Sequence, residues 1–133
     1  MIELSNTTAQ TLDPGQSITF DNVILHTGNG ECHRPGSSAV KMRCHGIYAV
    51  ALSGNITSNV AGAVQLSIEV GGEVLPETTM ISTPAAVGDI NNVATQTRVK
   101  NCCCDYDKIT VTNTGTTDVV VEPNASLIVE RRA

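Results

Sequence analysis

Between Val40 and Ser53 the chain alternates with a period of two. Val40, Met42, Cys44, Gly46, Tyr48, Val50 and Leu52 fall on one face, and Lys41, Arg43, His45, Ile47, Ala49, Ala51 and Ser53 on the other. Side chains on an extended strand alternate sides, so this run predicts strand with one face in a core. Its first half is amphipathic and its second half is apolar on both faces, which places the second half centrally in a sheet. Gly46 sits in the middle, where a glycine marks a bulge or kink. The run reads as two consecutive strands bent at Gly46, with Cys44 expected as a buried, unmodified thiol packed beside Met42 and Tyr48.

The same period recurs along the chain. Residues 1–15 hold a short N-terminal strand or a less ordered arm, ended by the Asp13-Pro14-Gly15 turn. Ser17–Leu25 resumes the pattern with Ile18 and Phe20 on one side and an interruption at Asp21-Asn22. Residues 26–39 are rich in Gly, Pro and Ser and predict a loop. Residues 55–63 read as a connection. From Ala63 to Val70, Val64, Leu66, Ile68 and Val70 point inward and Gln65, Ser67 and Glu69 outward, before a Gly71-Gly72 hairpin turn. Pro76 confines the return strand to an edge or an end. Residues 83–92 form a second loop, Val93–Lys100 alternates again, and Asn101–Asp107 reads as a turn. Strands follow at Lys108–Thr112, Asp118–Glu122 and Ser126–Glu130. This amounts to roughly nine or ten short strands, turn signals about every ten residues and no useful helix. It reads as a single all-β domain over residues 1–133, either a sandwich or a jelly roll.

Composition sharpens this picture. The 133 residues include no Trp, two Tyr and one Phe, so the core is built from small, β-branched side chains. Little aromatic bulk leaves room for a partner surface to contribute to stability. The net charge is −5 with no basic run, which gives no footprint for nucleic acid. No apolar run has the length of a membrane span. The start, MIELSNTTAQ, lacks the features of a signal peptide and sets the expectation of reduced thiols.

Five cysteines and three histidines are the candidate chemistry. Thiolate and imidazole are the usual zinc ligands, so Cys32, His33, Cys102, Cys103 and Cys104 are the metal candidates. The spacing opposes them, because no C-x2-C knuckle supplies a clean second pair, and no metal or cofactor is expected. A disulfide from Cys32 to one of the three cysteines near residue 103 is a second reading. Asp105, Asp107 and Glu31 offer oxygens, but the calcium-loop pattern is absent and turn formation accounts for the aspartates. Asn6, Asn55 and Asn124 begin sequons that read as turn residues. No nucleophile turn, phosphate loop or zinc-protease motif appears, so no catalytic residue is assigned.

Specific stretches resemble a known superfamily. Gly46-Ile47-Tyr48-Ala49-Val50 resembles the central strand of the tumour necrosis factor and complement globular-head jelly rolls. Val64–Gly72, Asp107–Asn113 and Asn124–Arg131 resemble the following hairpin and the last strands of that fold, closest to its compact bacterial and phage forms. The resemblance implies a two-sheet antiparallel jelly roll, a homotrimer and a non-enzymatic role. A short form of this kind implies a phage virion component, such as a head fibre, decoration or fibre-tip protein, with other virion proteins or host-surface glycans as partners. The alternative is the trimeric head of a bacterial spore or cell-surface protein, and a thiol- or zinc-dependent enzyme stands as a third reading. The apolar outer side of the central strand makes Ile47, Ala49 and Ala51 the trimer-interface candidates. Either a second layer of the same chain covers that side or a neighbouring subunit does, and the scarcity of large residues favours the subunit.

Overall fold

A computed structural model describes residues 1–102 and 107–132. Its strands, in chain order, are β1 (Ile2–Ser5), β2 (Gln10–Leu12), β3 (Asn22–His26), β4 (Glu31–His33), β5 (Val40–Met42), β6 (Gly46–Thr57), β7 (Val64–Val70), β8 (Glu73–Val74), β9 (Met80–Ser82), β10 (Asn91–Asn101), β11 (Lys108–Asn113), β12 (Val119–Val121) and β13 (Ser126–Arg131). A 3-10 turn at Pro76–Thr78 is the sole helical piece among the described residues. All strand pairs are antiparallel and form two sheets. The larger runs β2-β12-β6-β13-β1-β3, with β10 along the other side of β6; the smaller runs β4-β5-β11-β7-β8, with β9 also on β7. The fold is a two-sheet jelly roll.

The two strands read around Gly46 lie in different sheets. β5 belongs to the smaller sheet and β6 to the larger, so Arg43–His45 carries the chain across the sandwich. Gly46 resumes the strand at φ 152°, a value glycine takes without a Cβ penalty. The crossing corrects the expectation for Cys44. Alternation holds only within a sheet, and Cys44 sits in the crossover, half-buried, with its Sγ 3.8 Å from Asn29 O. Beyond the crossover the alternation is kept: Tyr48, Val50 and Leu52 are buried in the core between the sheets.

Other differences have local causes. Within residues 1–15, the expected short N-terminal strand is β1, which lies between β13 and β3 and buries Ile2 and Leu4 completely. The expected loop at 26–39 contains β4, which pairs with β5 from Glu31–Met42 to His33–Val40. Glu31 is buried there and ion-pairs through Oε1 with the α-ammonium of Met1. β6 runs three residues into the expected connection at 55–63, because β12 pairs with Ile56 and Thr57. Ser67, expected outward, is fully buried under the 3-10 turn, where its hydroxyl lies 2.9 Å from Thr79 Oγ1 and 2.8 Å from Thr114 Oγ1. Gly71 and Gly72, at φ 60° and 85°, make the β7–β8 turn with both φ values positive, as a type I′ turn requires.

Candidate interaction surface

The larger sheet buries its inner face against the smaller and leaves its outer face open. Register lays out that outer face. One row runs Leu25, Glu3, Ile128, Ala51, Gln96 across β3, β1, β13, β6 and β10. The next sets Glu130 and Arg98 on either side of Ala49. Below it Ile47 pairs with Lys100, and the Arg132 N–H donates to Ile47 O at 2.7 Å. Above it lie Ser126, Ser53 and Ala94. Ile47, Ala49 and Ala51 therefore share one outward face, as the alternation predicts. No element among the described residues covers them, so the alternative of a second layer of the same chain does not apply.

Short side chains under longer neighbours make this face concave. A shallow depression of about 360 Å³ lies over Ala51, Ser53, Ala94, Gln96, Ser126 and Ile128. It continues into one of about 230 Å³ bordered by Ala49, Gln96, Arg98, Glu130 and Arg132. Ile47 is 41% exposed. At the far edge, a bulge in the β1–β3 pairing brings Ile24 (53%) and Leu25 (42%) into solvent together. Arg132 pairs with Glu130 at 3.1 Å. Sequence reasoning missed Ile128, Gln96, Arg98, Glu130 and Arg132. For all but Arg132, outward parity in Val93–Lys100 and Ser126–Glu130 was a usable signal, but their gathering beside β6 required the strand order.

The thiol and imidazole candidates are dispersed. Cys32 lies on β4 in the smaller sheet opposite Lys41. His33 has both ring nitrogens on backbone carbonyls, Nδ1 at 2.9 Å from Ala39 O and Nε2 at 2.9 Å from Phe20 O, so neither is turned toward a metal. Cys102 is exposed past the end of β10, and Cys103, Cys104, Asp105 and Tyr106 lie outside the described residues. Cys32, Cys44 and Cys102 carry free thiols. Among the described residues no group of three or more His, Cys, Asp or Glu side chains is arranged to hold a metal ion. His26, like His33, meets a backbone carbonyl, Glu31 O at 3.0 Å, rather than a thiol or carboxylate.

The crossover that positions β6 is held by Tyr48. Its hydroxyl lies 2.7 Å from Gly30 O and 2.9 Å from Cys44 O, and accepts the Cys44 N–H at 3.2 Å. Burial pushes its phenol above the ordinary value of 10. Asn101 Nδ2 donates to Cys44 O at 2.9 Å, and the Arg131 guanidinium donates twice to His45 O.

No protein-family model matches the chain, and neither does any curated protein sequence. Solved structures do. The Eiger tumour necrosis factor of S. frugiperda superimposes with a TM-score of 0.80 at 11% identity, over 99% of this chain and 91% of that one. The fold is the tumour necrosis factor-like jelly roll. The globular domain of zebrafish complement 1qA protein matches with a TM-score of 0.69 at 9% identity, over 98% of each chain. The vertex protein P5 of phage PRD1 matches with a TM-score of 0.53 at 12% identity, over 95% of this chain and 93% of that one. In the tumour necrosis factor-like frame, the open face is the outer side of the sheet that contains the central Gly46-Ile47-Tyr48 strand. No helix among the described residues is long and apolar enough to cross a membrane.

Proposed function

We propose that the protein is a non-enzymatic, homotrimeric structural and binding protein of a phage virion, a head fibre, decoration or fibre-tip component that mediates assembly or host-surface attachment. The observation that carries the reading is the open outer face of the larger sheet. Its floor of Ala49, Ala51, Ser53 and Ile128 is concave, and Ile47, Ile24 and Leu25 stand exposed around it. Each exposed aliphatic side chain forgoes about 1.5 to 3 kcal/mol of burial, which a neighbouring subunit recovers. The superfamily that the strand motifs resemble implies three copies, and a closed ring satisfies every such face. Likeness in fold to the PRD1 vertex protein supports a place on a particle.

Light scattering after gel filtration tests the assembly. A particle of three times the 13.9 kDa chain mass is expected at micromolar concentration. A stable monomer refutes the trimer, and a dimer refutes the analogy behind it. Immunogold labelling of purified particles from producing cells tests the location, with label on the virion expected. Label confined to a spore or cell surface replaces the virion with the alternative head-domain role.

A further inference from the structure

We propose that the 83–90 loop of one copy seats on the outer face of the larger sheet in the next, pairing Asp89 with Arg98. This contact rests on the trimeric reading and specifies how it is built. The face presents an imbalance of charge. Arg98, Lys100 and Arg132 stand on it near Ala49 and Ile47, against one nearby carboxylate among the described residues, Glu130, which Arg132 already holds at 3.1 Å. Arg98 and Lys100 are exposed and make no hydrogen bond or ion pair among the described residues. Covering this face with an apolar surface alone leaves those cations desolvated and unpaired, which is costly. The covering element must combine aliphatic side chains, to fill the alanine floor, with a carboxylate.

The exposed segment 83–90 has that composition. The loop TPAAVGDI, residues 83–90, carries a single charge, Asp89, between Val87 (58% exposed) and Ile90 (59%). It is pre-shaped. The Ala86 N–H donates to Asp89 Oδ2 at 3.1 Å, and the Asp89 N–H donates back to Ala86 O at 3.1 Å. Gly88, at φ 90°, donates its N–H to Ser58 O at 3.0 Å and fastens the loop near the exposed Val60. Asp89 Oδ1 remains open for a guanidinium. Branched aliphatics fit a floor of alanine and serine, and the charges are of opposite sign. The loop lies beyond the Asn91 end of β10, whereas Arg98 and Lys100 lie toward its other end, so the contact joins two different patches. Such a head-to-tail contact closes into a ring when the rotation permits.

The test is charge reversal read by light scattering after gel filtration. Wild type runs as a trimer. Asp89→Arg and Arg98→Asp each shift it to monomer at micromolar concentration, and the double variant with the charges exchanged restores the trimer. Circular dichroism of each variant verifies the fold. Should a reversed variant not fold, Asp89→Asn, which keeps an oxygen for the Ala86 N–H, and Arg98→Gln replace the pair. Each should raise the concentration at which the trimer dissociates by about tenfold or more. Trimeric wild type with indifferent variants, or with no rescue in the exchange, overturns this contact and leaves the trimer standing. A monomeric wild type overturns the trimer itself.

Discussion

Removing one oxygen from Tyr48 tests how the crossover into the larger sheet is held. Tyr48→Phe keeps the ring, which is fully buried, and deletes the hydroxyl that meets Gly30 O, Cys44 O and the Cys44 N–H. The two carbonyls retain other donors: Gly30 O keeps the Arg43 N–H at 2.8 Å, and Cys44 O keeps Asn101 Nδ2 at 2.9 Å. The Cys44 N–H is orphaned. An unsatisfied buried donor costs about 1 to 3 kcal/mol, and Cys44 is only half-buried, so the expected loss is about 1 to 2 kcal/mol. For a chain of this length that is about 3 to 10 °C in Tm. Thermal unfolding followed by circular dichroism, at one fixed protein concentration because assembly shifts Tm, reads it directly. Adding Asn101→Ala then strips Cys44 O of both side-chain donors, so the double variant should lose more than the sum of the singles. A Tyr48→Phe protein that melts with wild type, or a strictly additive double variant, refutes the view that the hydroxyl holds the crossover. The raised phenol adds a second signature. Its contribution is complete below the unfolded value of 10 and is lost as pH rises through the higher folded value, so wild type should lose an increment of stability above pH 10 that Tyr48→Phe does not.

Asn113 is fully buried, donating to Leu12 O and Thr117 O at 2.9 Å and accepting the Gly115 N–H at 3.0 Å; Asn113→Ala should cost about 2 to 4 kcal/mol in urea unfolding, since it leaves several buried groups unpaired. Partial desolvation of an otherwise exposed carboxyl, and then the neighbouring Asp13 carboxylate, hold Asp118 above its ordinary value of 3.8. A raised carboxyl contributes stability below the unfolded value that is lost as pH rises through the folded one, so Asp118→Asn should match wild type near pH 3 and equal or exceed it in Tm at pH 7. Cys44, half-buried in the crossover, should be alkylated in native protein more slowly than exposed Cys102 and faster than a core thiol, which mass spectrometry of timed labelling resolves. Ala49→Glu places a carboxylate on the floor of the open face and should dissociate the trimer without loss of the β-sheet circular dichroism signal, because Ala49 points away from the core.

Alternation within one strand was legible from sequence. β10, the second half of the Val40–Ser53 run and, apart from buried Ser67, β7 show their faces as the period of two predicts, and Ile47, Ala49 and Ala51 point outward for that reason. Glycine turns were legible too, because Gly71-Gly72 needs two positive φ values that few other residues accept. Sheet membership was not. Nothing in Arg43–His45 announces that the chain leaves one sheet for the other, so Cys44 was carried into the core by a parity that had already lapsed. β4 was hidden because a strand of three residues, Glu31–His33, is too short to show a period, and its pairing with β5 is a tertiary fact. The same limit hid half of the interaction surface. Arg98, Glu130 and Arg132 are far from Ala49 along the chain, and only the order β10-β6-β13 makes them its neighbours.

The composition of the open face argues that water is not its final environment. The chain carries 13 carboxylates, yet only Glu3 and Glu130 fall on the register rows of this face, although it spans the larger sheet. A strand surface selected for solvent can afford long charged or threonine side chains, which hold water and cover the backbone. A surface selected for a core carries Val, Ile and Leu, as the inner face of β6 does at Val50 and Leu52. Alanine and serine at 49, 51, 53 and 126 fit neither use, since they bury little area and solvate poorly. They fit close approach by another backbone or a branched side chain, where bulk on the floor would hold the partner off. The cations at its border then set a condition on the partner, because apolar contact without an anion strands Arg98. Shape demands small aliphatic protrusions, charge demands a carboxylate among them, and both demands concern the same few square nanometres of sheet.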